Sequence, residues 1–527
     1  MNQQSNSSVT SSRRALGEMG IGNILRTAAL RHGRREALCC IGTGRRFTYA
    51  ALNLRVNRLA NGLTEQAHGL GLPRGAVVAF LCSNRAEIVE IYFALAKAGL
   101  VGLPLNYRLA PNEIAELVNT VEAVALICDT RFGAVQTRVL ACGTTLRHTV
   151  WIGDAVPAGE PAYEALLAAA STAEPEVAVH EDDVFYYNLT SGTTGLPKCY
   201  AITHYNLSAL DSTVVTFSLR EEDVFMNVFP AFGRVGFGWS LVAVLLGSRN
   251  VLMDFDAKAL PGVVAREGVT FTNLVPTMVA LLMAEPSFDS SQFTSLRAIC
   301  FVGAMLPRTI REQAEARLCR NVFEAYGLQE TGYLTVSTPE DRRYKPESIG
   351  QSVLFADVRI VDASGAPVTT GETGEIIGRS PNGITGYFNN PERNAEVFRN
   401  GWFHTGDLGR FDEEGYLYIN GRVKDMIISG GQNVHASEIE AALLELEGVG
   451  DCAVFGLPDP VWGEVVAVAV VPHGTGTSAE TLQAYCRERL ASFKIPRRVF
   501  FQDIPLPRTP TGKVQKFLLV ERYAPAD

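Results

Sequence analysis

Short apolar runs alternate with helix-period segments along most of the chain, and that alternation confines it to an α/β fold. Residues 77–82 (VVAFLC) read as a buried strand. The next segment places Ile88, Ile91, Tyr92 and Leu95 on one helical face, and Gly99 ends it. VGLPL resumes an extended run, and AVALIC (123–128) and VFYYNL (184–189) read as further buried strands. No fixed-period repeat occurs, so solenoids and propellers are excluded. At 527 residues the chain exceeds one hydrophobic core, and several domains or subdomains are expected.

The pattern changes near residues 421–432, where GRVKDMIISGGQ passes from strand-like YLYI into a glycine-rich stretch. Beyond it, Ser437 and Glu440 have the spacing of a capping box for a helix bearing Ile439, Ala442, Leu443 and Leu446. VVAVAVV (465–471) reads as a strand and residues 479–490 as a helix. The expected organisation is a polar, disordered tail over 1–19, a large N-terminal domain of layered α/β subdomains over 20–423, and a small C-terminal α+β domain over 424–527. The tail has no apolar segment behind its two arginines and does not read as a secretory signal.

An apolar fraction of 47% and a charged fraction of 20% exclude a disordered or fibrous chain. A net charge of −9 with no basic block argues against nucleic acid or an anionic membrane surface as partner. The ten cysteines form no CxxC pair and the eight histidines no metal-ligand spacing, which fits a reducing, cytoplasmic setting. No apolar run reaches the length of a membrane span.

The strongest local signal is TSGTTGLPK (190–198), directly after the apolar strand that ends at Leu189. Gly192 and Gly195 let main-chain amides approach an anion closely, and Thr190, Ser191, Thr193 and Thr194 add hydroxyl donors. Lys198 supplies a charge suited to phosphate, although the spacing is not that of a Walker A loop. On these residues alone, a polar turn is an equal reading.

TSGTTGLPK resembles the phosphate-binding signature of adenylate-forming enzymes, the superfamily of acyl-CoA synthetases, peptide-synthetase adenylation domains and beetle luciferases. YGLQETG (326–332), TGD (405–407), GRVKDMIISGGQNV (421–434) and PRTPTGK (507–513) follow in that family's order. The resemblance covers nearly the whole chain from about residue 20, and implies that the small C-terminal domain is mobile. It implies that Tyr326 stacks on adenine, that Gly327 and Gln329 border the phosphates, and that Gly303, Ala304 and Met305 run along the base. Glu330 would hold magnesium, Asp407 the ribose hydroxyls, and Arg422 a further part of the nucleotide. Lys513 would carry adenylation by stabilising charge as a carboxylate attacks the α-phosphorus. Lys424 matches the hinge about which the small domain turns, and Gly430 and Gly431 would line the passage for pantetheine.

Departures from the family pattern are Cys199 after Lys198, Gln329 before Glu330, and Gly233 where a histidine usually stands. Arg234 follows, beside Phe232, Phe237, Trp239 and residues 301–304, and these are the candidates for an acyl pocket. An arginine there disfavours an α-amino acid and suggests a substrate with a polar distal group, unless Arg234 pairs within the protein. The implied activity is ATP-dependent, magnesium-dependent activation of a carboxylic acid to an acyl-adenylate, then transfer to coenzyme A. The alternative acceptor is the phosphopantetheine of a carrier protein; the chain stops soon after Lys513, which favours free coenzyme A.

Overall fold

The computed structural model describes residues 20–67, 69–189, 198–208, 210–429, 432–474, 477–508 and 514–524. The expected tail over 1–19 lies outside them. Val77–Leu81 and Ala125–Asp129 are buried at every position because both lie inside a parallel sheet covered on two faces. That sheet runs His148–Ile152, Ala125–Asp129, Val77–Leu81, Val101–Pro104, Val184–Leu189, Cys199–Thr203, and is parallel except for the last pair. A second sheet has nine strands. Its parallel centre is ordered Glu36–Cys40, Arg249–Leu252, Val224–Asn227, Phe271–Leu274, Ala298–Val302, Val322–Leu328. Gly332–Ser337 and Gln351–Ser352 extend one edge and Arg46–Thr48 the other, all antiparallel.

The main core joins the two sheets. It takes Val78 and Phe80 from one and Leu38 and Leu252 from the other. Between them it takes Leu25, Val56, Tyr92 and Phe237 from the helices Ile21–His32, Tyr49–Thr64, Ala86–Ala98 and Arg234–Leu246. Ala86–Ala98 is therefore buried all round, not only on the face of Ile88, Ile91, Tyr92 and Leu95. Gly99 closes it at φ 63°, a left-handed conformation suited to glycine.

A third, antiparallel sheet contains Asp357–Val361, Gly374–Arg379 and Trp402–Phe411; Phe398–Arg399 and Leu417–Arg422 both pair with the last. The C-terminal part has its own sheet, ordered Gln432–His435, Met426–Ser429, Gly463–Pro472, Val449–Asp459, with Arg498–Phe501 parallel to Gly463–Pro472. Two apolar clusters, one around Ile439 and Val468 and one around Phe455 and Leu519, draw only on this part. Among the described residues no helix is long and apolar enough to cross a membrane.

The capping box expected at Ser437 and Glu440 does not form. The helix Ala436–Leu444 starts after His435, with no side-chain cap. Ser437 sits inside the first turn and donates to Asn420 O at 2.7 Å, while Glu440 accepts from Val454 N and Lys516 Nζ, both at 2.8 Å. Partners across the fold outcompete the helix's own end. The next helix, Ala479–Arg489, is capped by Ser478, which accepts from Thr481 N at 3.2 Å.

His204 couples the first helix to pH. It is 1% exposed, and its Nδ1 accepts from Ile21 N at 3.2 Å, which requires a neutral ring nitrogen. Burial pushes its pKa down to about 4. The unfolded chain takes up this proton below about pH 6.5, so His204's contribution is present above that value and lost as pH falls toward 4. The expected loss over that window is about 3 kcal/mol. Thermal unfolding across it should show a flatter pH dependence in His204→Asn, whose amide oxygen replaces the acceptor and does not titrate there. An unchanged slope would remove His204 as the cause.

Candidate active site

Ligands of parallel α/β sheets bind outside the carboxyl ends of the strands. Ala298–Val302 ends in Gly303, Ala304 and Met305, with Gly303 at φ 88° and Met305 59% exposed. The adjacent strand Val322–Leu328 carries Tyr326 and Gly327, with a register break between them. A Cβ on Gly327 would lie 1.9 Å from Gly332 O, so only glycine lets the chain close this turn.

Asp407 and Arg422 face each other across the antiparallel pair Trp402–Phe411 and Leu417–Arg422. Tyr326 Oη donates to Asp407 Oδ2 at 2.8 Å and Arg422 Nε to Oδ1 at 2.7 Å. Three residues from three separate motifs thus meet on one buried carboxylate. Burial raises the Tyr326 pKa well above the ordinary tyrosine value and keeps the hydroxyl a donor. Burial works against the Arg422 charge, but the Asp407 carboxylate outweighs it and holds the guanidinium pKa up.

Glu330 is 9% exposed and accepts from Tyr387 Oη at 2.5 Å. Lys198 Nζ lies 5.5 Å from the centre of the Tyr387 ring. Burial first, then the nearby Arg393 charge, lowers the Lys198 pKa, and Glu330 partly offsets them. Burial likewise lowers the pKa of Lys424, in the short turn Val423–Asp425 between Leu417–Arg422 and Met426–Ser429. Lys198 feels the charges of Glu330, Glu396 and Arg393, Arg393 pairs with Glu396, and Lys424 feels those of Asp425, Arg422 and Asp407.

Tyr387 and Arg393 were not legible as site residues. Tyr387 belongs to a loop 57 positions from Glu330, and no spacing rule connects the two. Gln329 turns its Oε1 to Tyr200 Oη at 2.8 Å. Among the described residues no group of three His, Cys, Asp or Glu gathers as a metal cage.

The expected acyl-pocket residues divide. Gly233 precedes the helix Arg234–Leu246 with only Pro230 O, at 3.3 Å, near a would-be Cβ. Phe232 is half-buried and meets Tyr107 edge-on at 5.2 Å. Phe237 is a correction: it stacks on Tyr92 at 3.8 Å and belongs to the main core. Trp239 packs on Phe271 at 4.9 Å in another core cluster. Their helix is covered on both sides, so its aromatics fill the interior. Arg234 is 9% exposed and donates from its two Nη atoms to the carbonyls of Gln329 and Asn382. Main-chain carbonyls, not a substrate group, satisfy those donors, and the argument for a polar distal group loses its premise. A groove of about 720 Å³ is lined by Leu72, Pro73, Glu122 and His148 and also by Tyr187 and Phe388. Thr190, Ser191, Gly192, Thr193, Thr194, Gly195, Gly430, Gly431 and Lys513 lie outside the described residues.

Layered parallel sheets, a separately cored C-terminal part, and a Tyr326–Asp407–Arg422 cluster near strand ends place the chain among α/β enzymes. The chain belongs to the AMP-binding enzyme family, whose model matches residues 25–388, and the model of the AMP-binding enzyme C-terminal domain matches 438–513. It is 38% identical over 504 residues to a feruloyl-CoA synthase of an Amycolatopsis species, covering 94% of this chain and 96% of that protein. It is 34% identical over 515 residues to a long-chain-fatty-acid–CoA ligase of Mycobacterium tuberculosis, covering 96% and 98%. Among solved structures, ATP-bound MatB from Rhodopseudomonas palustris matches with a TM-score of 0.85 at 30% identity, covering 95% of this chain and 99% of that one. The protein is an AMP-forming acid–thiol ligase of the acyl-CoA synthetase type, using ATP to activate a carboxylic acid and coenzyme A to accept the acyl group.

Proposed function

We propose that this acyl-CoA synthetase binds ATP at the carboxyl ends of Ala298–Val302 and Val322–Leu328, and that its acid is apolar-bodied, aryl or of medium chain length. The observation that carries the nucleotide site is the convergence of Tyr326 and Arg422 on Asp407. Each Asp407 oxygen accepts one protein donor and keeps a lone pair for a ribose hydroxyl. The adenine lies against Tyr326 and along Gly303, Ala304 and Met305. The phosphates reach residues 190–198, where the Lys198 charge, opposed by burial and by Arg393, is favoured by a further anion.

Glu330 would hold magnesium. A lone carboxylate fits this cation, which keeps most of its shell for water and phosphate. When bound, it neutralises charge on the phosphates. The substrate carboxylate then attacks the α-phosphorus, the bond to pyrophosphate breaks, and Lys513 stabilises the oxygens that gain charge. In the second half-reaction the thiolate of coenzyme A attacks the acyl carbon, AMP leaves, and Gly430 and Gly431 give the pantetheine room.

The acid reading rests on the protein partners of Arg234 and on the aryl and fatty acids that the relatives' names specify. An acid panel followed by AMP and pyrophosphate release, with free coenzyme A, a phosphopantetheinyl carrier protein or neither, tests it. Cinnamic-type and medium-chain acids should rank first with coenzyme A as acceptor. Preference for dicarboxylates, or turnover with the carrier alone, would reject the reading.

Lys424 is proposed as the hinge between the two half-reactions. Proline at 424 fixes φ and drives Val423 out of the helical conformation it has in this turn. Lys424→Pro is expected to block the rotation, with adenylate formation kept and thioester formation lost. Equal rates for both, measured with supplied acyl-adenylate for the second, would count against the hinge.

A further inference from the structure

Glu330 lies in the turn between Val322–Leu328 and Gly332–Ser337, and three successive carbonyls of that turn are tied to other segments. Ile384 N donates to Glu330 O at 2.8 Å and Ser380 Oγ to Thr331 O at 2.6 Å. The third carbonyl, Gln329 O, accepts from Arg234 Nη1, while Nη2 of the same guanidinium donates to Asn382 O. Residues 380–384 are braced from a further side by Asn206 Nδ2, which donates to Pro381 O at 3.0 Å and Gly383 O at 2.8 Å. Arg234 springs from the first turn of a helix anchored in the main core by Phe237 and Leu241. One rigid fork therefore joins the helix beside the acyl pocket, the turn that carries Glu330, and the loop that leads to Tyr387.

We propose that Arg234 is a positioning residue for Glu330, and that it sets the place of that carboxylate through the carbonyls of Gln329 and Asn382. The proposal rests on the reading of Glu330 as the magnesium-holding carboxylate. Without the fork, the carbonyls of Gln329 and Asn382 lose their donor, and the link between the turn and residues 380–384 rests on the bonds from Ser380 and Ile384 alone, while Asn206 still braces the loop. A small displacement of a group that orients reacting phosphates costs far more in rate than in stability. Lysine does not replace the fork, because one ammonium is a point charge on a flexible stem and does not hold two carbonyls in fixed geometry.

The test measures pyrophosphate release against magnesium concentration at saturating ATP and acid, and thioester formation from supplied acyl-adenylate, in Arg234→Ala, Arg234→Lys and Glu330→Gln. Arg234→Ala should need roughly tenfold more magnesium for half-maximal adenylation, with the thioester step within about twofold of the parent. Added guanidinium chloride at millimolar concentration should recover part of the loss, and Arg234→Lys should fall between the two. A magnesium requirement unchanged in Glu330→Gln removes the metal reading itself. A shift in Glu330→Gln, with Arg234→Ala lowering both half-reactions alike and leaving the magnesium requirement unmoved, overturns the positioning role while the metal reading stands. A change confined to the KM of the acid also overturns it, since Arg234 would then serve the acyl pocket. Should Arg234→Ala fail to fold, Arg234→Lys decides by the same magnesium titration.

Discussion

Lys513→Ala is expected to lose adenylate formation by roughly 10²- to 10³-fold, while a supplied acyl-adenylate is still converted to acyl-CoA near the parent rate. The asymmetry follows from the chemistry of the two steps. In the first, a carboxylate approaches a triphosphate, two anions meet, and charge grows on the α-phosphoryl oxygens. In the second, attack falls on the acyl carbon of a mixed anhydride and AMP leaves as a stabilised anion, so no crowded, charge-gathering phosphorus centre has to be stabilised. The residues on either side of the Lys513 segment are tied to one another: Arg508 pairs with Val514, and Gln515 N donates to Pro507 O at 2.8 Å. Removing one side chain there should leave the C-terminal core around Phe455 and Leu519 intact. Rapid-quench measurement of the two half-reactions checks this, with circular dichroism as the control on folding. Equal loss in both steps would place Lys513 in the thioester step as well and end the two-conformation account.

How far the sequence could be read depended on which interactions leave a periodic or motif trace. The strands at 77–81 and 184–189 and the helix at 86–98 were legible, because burial between two layers writes itself as apolar runs and Gly99 marks an end. The full burial of that helix was not legible, since an amphipathic pattern specifies one face and the helices Tyr49–Thr64 and Ile21–His32 pack on the rest. Phe237 and Trp239 were misread for a related reason. An aromatic one helical turn from a pocket motif looks the same whether it lines the pocket or fills the core, and the stack on Tyr92 decides for the core. The partners of Arg234 left no trace, because main-chain carbonyls are present at every residue. Tyr387 escaped notice because its bond to Glu330 is made by loop geometry between segments far apart in sequence. Asp407 and Arg422 were identified through motif resemblance, while their direct pairing across two strands needed the register of the sheet.

Asp407 lends itself to a test in which stability and nucleotide binding separate. Asp407→Ala removes the acceptor of both Tyr326 Oη and Arg422 Nε, leaving a buried hydroxyl and a largely covered guanidinium without their partner. The expected result is a fall of at least roughly a hundredfold in kcat/KM for ATP, about 3 kcal/mol, together with a lower melting temperature. Asp407→Asn should behave differently. Its amide oxygen accepts from Arg422 Nε and its amide nitrogen donates to the Tyr326 oxygen, since a tyrosine hydroxyl accepts as readily as it donates. Both protein partners then keep a hydrogen bond, but Arg422 loses its counter-charge, so the melting temperature should fall, and by less than in Asp407→Ala. The ribose fares worse: a carboxylate leaves one lone pair on each oxygen for the two hydroxyls, whereas the amide leaves one lone pair in all. Asp407→Asn should therefore raise the KM for ATP while leaving the KM for the acid unchanged, and 2′-deoxy-ATP should lose less than ATP does. If Asp407→Asn keeps the parent KM for ATP, the carboxylate holds Tyr326 and Arg422 in place without touching the ribose, and the nucleotide is held elsewhere.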